Sequence, residues 1–416
     1  MNTKNLTRAD VSFMDAKDPL AAKRAEFYLP ENTIYLDGNS LGPMTHAAKD
    51  RVNAVMTQQW GDDLITSWNK HQWIDLPEIV GEKIAPIIGA GPGQVICCDS
   101  VSINLFKVIS AALSLNPSRH KVLSQNDNFP TDLYMTQGLE NLLGREKCQL
   151  VTTKEEDILD SLDESIAVLM LTQVNFRTGR IHDIQSITEK AHQLGILVIW
   201  DLAHSAGAIP VKVDEWGVDF AVGCGYKYFN GGPGAPAFVY VAEKHLAALE
   251  QPLSGWMGHA SPFEFSPDYE KPPSIKQFLC GTPGVVSMSV LDASLDLFTD
   301  INIEMIREKS LALTDLFIEL VNQEESLNQL EIITPLEHDE RGSQIAYCHD
   351  DAYAICQALI AEGVIADFRA PNILRFGFSP LFLRYADIEK SVELLIDVVS
   401  EKRYDSEQFR SRKAVT

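Results

Sequence analysis

Two ionisable residues, Asp201 and Lys227, stand at the ends of apolar runs in the middle of the chain. Asp201 closes the run Ile196-Leu197-Val198-Ile199-Trp200, which reads as a buried parallel strand. A carboxylate at the C-terminal end of such a strand points into the crevice of an α/β sheet. Lys227 follows the apolar run 218–222, inside the glycine-flanked turn Gly223-Cys224-Gly225-Tyr226-Lys227-Tyr228-Phe229-Asn230-Gly231-Gly232-Pro233-Gly234. A desolvated lysine that loses its proton is a nucleophile toward an aldehyde, and a buried carboxylate facing a pyridinium nitrogen keeps that nitrogen protonated. These are the two halves of a pyridoxal phosphate site, with Lys227 as the Schiff-base lysine and Asp201 as the ring-nitrogen partner. Taken singly, each has a plainer reading: a strand-end aspartate as a helix cap, a lysine beside glycine as a solvated loop charge. The order and setting of the pair favour the cofactor.

The elements that must position this pair follow from hydrophobic patterning. Short β-rich runs at 121–124, 149–152, 166–172, 196–200, 218–223 and 236–241 alternate with helical or loop segments. Between two of them, Ser186-Ile187-Thr188-Glu189 has the form of a capping box, predicting a helix from there to about Gly195. Such alternation predicts an α/β fold, a mostly parallel sheet covered by helices with ligands at the strands' carboxyl ends. From Ile301 a long amphipathic helix runs to about Asn322 and leads into a smaller α+β unit. In that unit 330–334, 345–348 and 374–377 read as strands, and 352–362 and 386–402 as helices. The expected organisation is an N-terminal segment (1–50) packing on both domains, a large α/β cofactor domain (51–300), and the linking helix with the small C-terminal domain (301–416).

Composition narrows the partners. A chain of 416 residues that is 45% hydrophobic can bury two cores, and a formal net charge of −23 with no basic run excludes nucleic acid and anionic membranes as natural partners. Residues 1–23 mix charges without an apolar signal core, and no run of about 18 apolar residues occurs, so the expected setting is cytoplasmic. Seven cysteines, an odd number with no Cys-x-x-Cys pair, read as small buried hydrophobes rather than disulfides or metal ligands, and no metal is expected.

The segments Tyr35-Leu36-Asp37-Gly38-Asn39-Ser40-Leu41-Gly42, Phe129-Pro130-Thr131-Asp132, Trp200-Asp201-Leu202-Ala203-His204-Ser205-Ala206-Gly207, Tyr226-Lys227-Tyr228 and Leu374-Arg375-Phe376-Gly377-Phe378 resemble those of kynureninases. The likeness runs in order from about Ile34 to the last helix. It implies a fold-type-I pyridoxal-phosphate enzyme, related to the class-V aminotransferases, that hydrolyses L-kynurenine to anthranilate and L-alanine in tryptophan degradation. It also implies a homodimer with active sites shared across the subunit interface. By resemblance, Val101, Ser102 and Tyr226 contact the phosphate, Phe129 stacks on the ring, and Asp132, Thr172 and His204 surround it. Trp256 and Thr282 match cofactor contacts that reach across the dimer. Arg375 matches the clamp for the substrate carboxylate, and Ser40, Trp68 and Trp256 match residues around its aryl ketone. The residues alone leave Arg375 two roles, a bidentate carboxylate clamp or a structural ion pair, and leave Ser102 the plain part of a helix start.

Two positions depart from the family pattern. Val101 stands where threonine is common, which spares a backbone contact and removes a hydroxyl, and Leu171-Thr172-Gln173 replaces the usual Leu-Thr-His. Rival readings are a cysteine desulfurase or selenocysteine lyase, an aminotransferase, and a pyridoxal-phosphate-binding protein without catalysis. The desulfurases carry a His-Lys pair where this chain has Tyr226-Lys227, and every family-matched catalytic position is filled. Thr282, in place of an amide residue, points to L-kynurenine over 3-hydroxykynurenine as substrate.

Overall fold

The computed structural model describes residues 8–412, so residues 1–7 and 413–416 of the two expected terminal segments lie outside the described residues. Strand β1 (Ile34–Tyr35) precedes seven strands of one sheet: β2 (Val95–Cys98), β3 (Lys121–Gln125), β4 (Gln149–Thr153), β5 (Ile166–Thr172), β6 (Leu197–Asp201), β7 (Phe220–Cys224) and β8 (Ala237–Val241). Their spatial order is β2-β8-β7-β6-β5-β3-β4, and only β8 runs against its neighbours. Six of the seven stand on the runs singled out in the sequence. The seventh, β2, is a four-residue edge strand of Val-Ile-Cys-Cys, too short to show a period.

Side chains leave the sheet alternately, as a pleated strand requires. Leu169 and Leu171 of β5 enter one core with Val198 and Trp200 of β6, while Val168, Met170 and Ile199 enter the other. The first core takes Ile184, Ile187 and Ala191 of the helix Ile184–Gln193; the second takes Leu105, Val108 and Ile109 of the helix Val101–Leu115. With both faces covered, strands made almost wholly of apolar residues become stable. The capping box expected at Ser186 does not form. The cap lies three residues earlier, where the Asp183 carboxylate accepts from Ser186 N at 3.1 Å, because Ile184 as well as Ile187 must face the core.

A polar hub fastens the sheet. The fully buried Asp219 accepts from His192 Nε2 (2.7 Å), His245 Nε2 (2.8 Å), Lys244 Nζ (2.7 Å) and Val198 N (2.9 Å). Burial alone would raise this carboxyl, yet those hydrogen bonds hold it far below the ordinary carboxylate range. A carboxylate so depressed stabilises the fold above its unfolded pKa near ~3.9, and that contribution fades as pH falls below it. Asp219→Ala is expected to cost about 3–5 kcal/mol in urea unfolding at neutral pH, with the loss shrinking at acid pH. An equal loss at pH 7 and pH 3 would contradict the assignment.

The 20-residue helix Ile303–Asn322 leads into β9 (Glu331–Ile332), β10 (Gln344–Cys348), β11 (Val364–Ile365), β12 (Asp367–Arg369) and β13 (Ile373–Gly377). An antiparallel sheet β12-β13-β10-β9 forms there, while β11 pairs in parallel with β1. The N-terminal segment thus joins the two sheets. Gly377 N donates to Leu36 O at 2.7 Å, and Gly42 N donates to Tyr226 O at 2.8 Å. Position 42 has to be glycine, since a Cβ there would lie 2.3 Å from both Lys227 O and Asn230 Oδ1.

Candidate active site

The strand register brings the expected ring contacts together. Thr172, last in β5, is aligned with Asp201, last in β6, and Asp201 with Val222 of β7. The chain leaves β7 at Cys224 and turns back, so that Lys227 faces a cavity of about 140 Å³ shared with Asp201, Thr172, Phe129, His204 and Tyr226. Lys227 Nζ donates to His204 Nε2 at 2.9 Å and lies 6.0 Å from the Phe129 ring centroid and 5.8 Å from that of Tyr226.

Burial sets the protonation of these groups. It pushes the Lys227 ammonium down, against the raising effect of Cys224 and Asp201, and Arg375 and Arg369 push the same way. It pushes His204 well down, helped by the charge of Lys227, so the imidazole is neutral. Asp201 is raised to about 6 by burial, with the Lys227 charge and a 2.7 Å hydrogen bond from Ala203 N opposing. Asp132 is raised well above the carboxylate range by burial and then by Asp201. Its Oδ2 accepts from Thr172 Oγ1 at 3.2 Å, and Thr172 Oγ1 also reaches Asn128 Oδ1 at 2.5 Å.

The far end of the cavity is built for an anion. The helix Val101–Leu115 begins there, capped by Ser100, and its first N–H groups and Ser102 Oγ, 3.2 Å from Thr131 Oγ1, line the cavity. A buried carboxylate, a lysine with lowered pKa, an aromatic face and a helix N-terminus therefore converge. His204 Nδ1 and Asp132 Oδ1 are buried without a hydrogen-bond partner, which leaves polar valence for a bound group. The residues fit pyridoxal phosphate: Asp201 for the ring nitrogen, Lys227 for the aldehyde, Phe129 for the ring face, and Val101, Ser102 and Thr131 for the phosphate.

Arg375 and Ser40 are brought together beside this cavity, but not freely. Arg375, only 1% exposed, donates through Nη2 to Ser40 Oγ at 2.9 Å and to Asp367 Oδ2, and through Nη1 to Phe176 O at 2.5 Å. The structural ion pair, one of the two readings left open by the sequence, is thus present: Asp367 of β12 is the register partner of Arg375 on β13. Arg375 Nε is buried without a partner. Trp68, Trp256 and Thr282 do not line the cavity of their own chain. Trp68 packs edge-on to Trp73 at 5.9 Å, Trp256 is 42% exposed against Phe263, and Thr282 is exposed. Sequence reasoning passed over Asn128, Thr131, Phe176 and the charged group Asp37, Asp367 and Arg369. Asn128 and Asp37 adjoin or lie in motifs already singled out, whereas only folding sets Asp367 opposite Arg375.

A family model described as kynureninase C-terminal domain matches residues 306–395. The kynureninase of Burkholderia pseudomallei (strain 1106a) is 47% identical over 414 residues, spanning 99% of this chain and all of the relative. The kynureninase of Pseudomonas fluorescens is 45% identical over the same span. Among solved structures, a cysteine desulfurase from Escherichia coli superposes with a TM-score of 0.76 at 19% identity, covering 92% of this chain and 98% of its own. A C-DES mutant with glycine covalently linked to its PLP cofactor gives a TM-score of 0.77 at 15% identity, covering 88% and 97%. At those identities the desulfurase-like structures share the fold, while the relatives at 45–47% share the sequence along the whole chain.

Proposed function

The chain belongs to the kynureninase family, and on that premise we propose how its residues carry out the hydrolysis of L-kynurenine to anthranilate and L-alanine. It is a pyridoxal-phosphate enzyme, and the cofactor, when bound, supplies the electron sink for charge that develops on substrate carbon. The observation that carries the residue assignment is the convergence of Lys227 and Asp201 on one buried cavity.

Lys227 moves the protons. Burial favours its neutral amine, which can take a proton from the substrate Cα and return one later, and neutral His204 accepts its N–H and fixes its direction. Asp201 keeps a proton on the ring nitrogen, held in place by the hydrogen bond from Ala203. Val101, Ser102, Thr131 and Tyr226 hold the phosphate; Phe129, Asp132 and Thr172 fix the ring. Arg375 and Ser40 bind the α-carboxylate, leaving the γ-carbonyl to receive water and the Cβ–Cγ bond to break. A homodimer completes the site, with Trp68, Trp256 and Thr282 reaching the neighbouring chain's substrate. The exposure of Trp256 and Thr282 and the apolar hollow beside Trp60, Trp73 and Val286 support that reading. A cytoplasmic role in tryptophan degradation accords with seven free cysteines.

Purified protein supplied with pyridoxal phosphate and L-kynurenine should release fluorescent anthranilate and L-alanine in equal amounts. Sulfide from L-cysteine, or a keto acid in place of alanine, would overturn the reading in favour of the rivals. L-Kynurenine is expected to be preferred over 3-hydroxykynurenine by roughly tenfold or more in kcat/KM, the scale one hydroxyl in a pocket can set. Equal values for the two substrates would remove Thr282 as a discriminator.

Arg375→Lys keeps the charge and loses the planar fork. It is expected to lower kcat/KM about 10²-fold while cofactor absorbance and melting temperature stay near wild type. A lower melting temperature with unchanged kcat/KM would make the Asp367 ion pair its whole function.

A further inference from the structure

Four charged side chains meet beside the cavity, two acidic and two basic. Asp367 Oδ2 accepts from Arg375 Nη2 and from Arg369 Nη2 (2.9 Å), and Ser40 Oγ lies 3.2 Å from the same oxygen. Asp37, bridged to Gly377 at the end of β13, stands next to them, with Oδ1 buried and without a hydrogen-bond partner. With both carboxylates ionised the group is neutral. The substrate carboxylate at Arg375 would leave it one negative charge in excess in a poorly hydrated place, which is unfavourable unless a proton enters.

We propose that Asp37 is the charge-balancing residue of the substrate site, taking up one proton when a carboxylate binds at Arg375. The proposal rests on the reading of Arg375 as the carboxylate clamp. Three of the ionisable groups near Asp37 do not compete for that proton. Tyr35 and Tyr228 are pushed up by burial, as is Cys356 on the helix Ala352–Ala361, so all three remain protonated through the neutral range. A guanidinium offers no site for a proton in this pH range. Asp367 is committed to both guanidiniums. Asp37 is raised to about 7 by burial and then by Asp367, with Ser40, Arg375 and Arg369 opposing. In the free enzyme it therefore ionises within the working range, and an added neighbouring carboxylate raises it further.

The sign follows. A group whose pKa rises on binding makes the ligand weaker as pH climbs from the free to the bound value, about tenfold per unit. The probe is 4-oxo-4-phenylbutanoate, which has the aryl ketone and carboxylate of the substrate but no amine to exchange with Lys227. Its binding to the cofactor-loaded enzyme is measured at pH 8 by calorimetry in two buffers of different ionisation enthalpy. Wild type is expected to take up close to one proton, with Kd rising about tenfold from pH 7.5 to 8.5. Asp37→Asn is expected to bind with no buffer dependence and a flat pH profile. No proton uptake by wild type, or equal uptake by Asp37→Asn, overturns the proposal while Arg375 keeps its role. Unchanged Kd in Arg375→Lys overturns the clamp and the proposal with it.

Discussion

Lys227→Ala is expected to lower turnover of L-kynurenine by at least about 10³-fold, since on the proposed reading it removes the amine that carries protons to and from the substrate. The fold should tolerate the change. Lys227 is desolvated in the native state, so its loss removes an unfavourable burial together with the 2.9 Å bond to His204. Melting temperature should therefore stay near wild type. In the unaltered enzyme, borohydride reduction followed by peptide mapping should place the pyridoxyl group on the peptide containing Tyr226-Lys227-Tyr228. Labelling of another lysine, or turnover within tenfold of wild type in the alanine variant, would remove Lys227 from its role.

Asp201→Asn should bind pyridoxal phosphate and still lose about 10²–10³-fold in kcat, the range seen when a single preorganised electrostatic contact is removed. The amide oxygen can accept from Ala203 N as the carboxylate does, so the β6 end keeps its shape. The helix N-terminus with Ser102 and Thr131 is untouched, so phosphate binding remains. What disappears is the negative charge that, on the proposed reading, holds a proton on the ring nitrogen. Asp132 does not replace it, because burial, the largest influence on that carboxyl, still holds it raised once the Asp201 charge is gone. A kcat near wild type in a cofactor-loaded Asp201→Asn preparation would show that the ring nitrogen needs no anionic partner here.

Residue type and local setting determined the main parts of this protein in advance. Short apolar runs alternating with helical segments are stable as strands of a sheet covered on both faces, and β3 to β8 lie on the runs expected. The carboxylate at the end of one such strand and the glycine-flanked lysine after the next are local facts, so Asp201 and Lys227 were legible without a fold. Local signals also carried errors of local kind: Ser186 has the form of a cap, but the need to bury Ile184 moves the helix start to Asp183. β2 was invisible because four residues give no period.

Contacts far apart in sequence were decided only by folding. Asp367 faces Arg375 through antiparallel register, and Asp37 joins them because the N-terminal segment is bridged to Gly377 at the end of β13. Neither pairing leaves a mark on the sequence, since a charge announces its sign and not its partner. Protonation is of the same kind: the lowered lysine, neutral His204 and protonated Asp132 follow from desolvation and neighbouring charge. Both are properties of where the chain places a side chain, and tertiary structure alone supplies them.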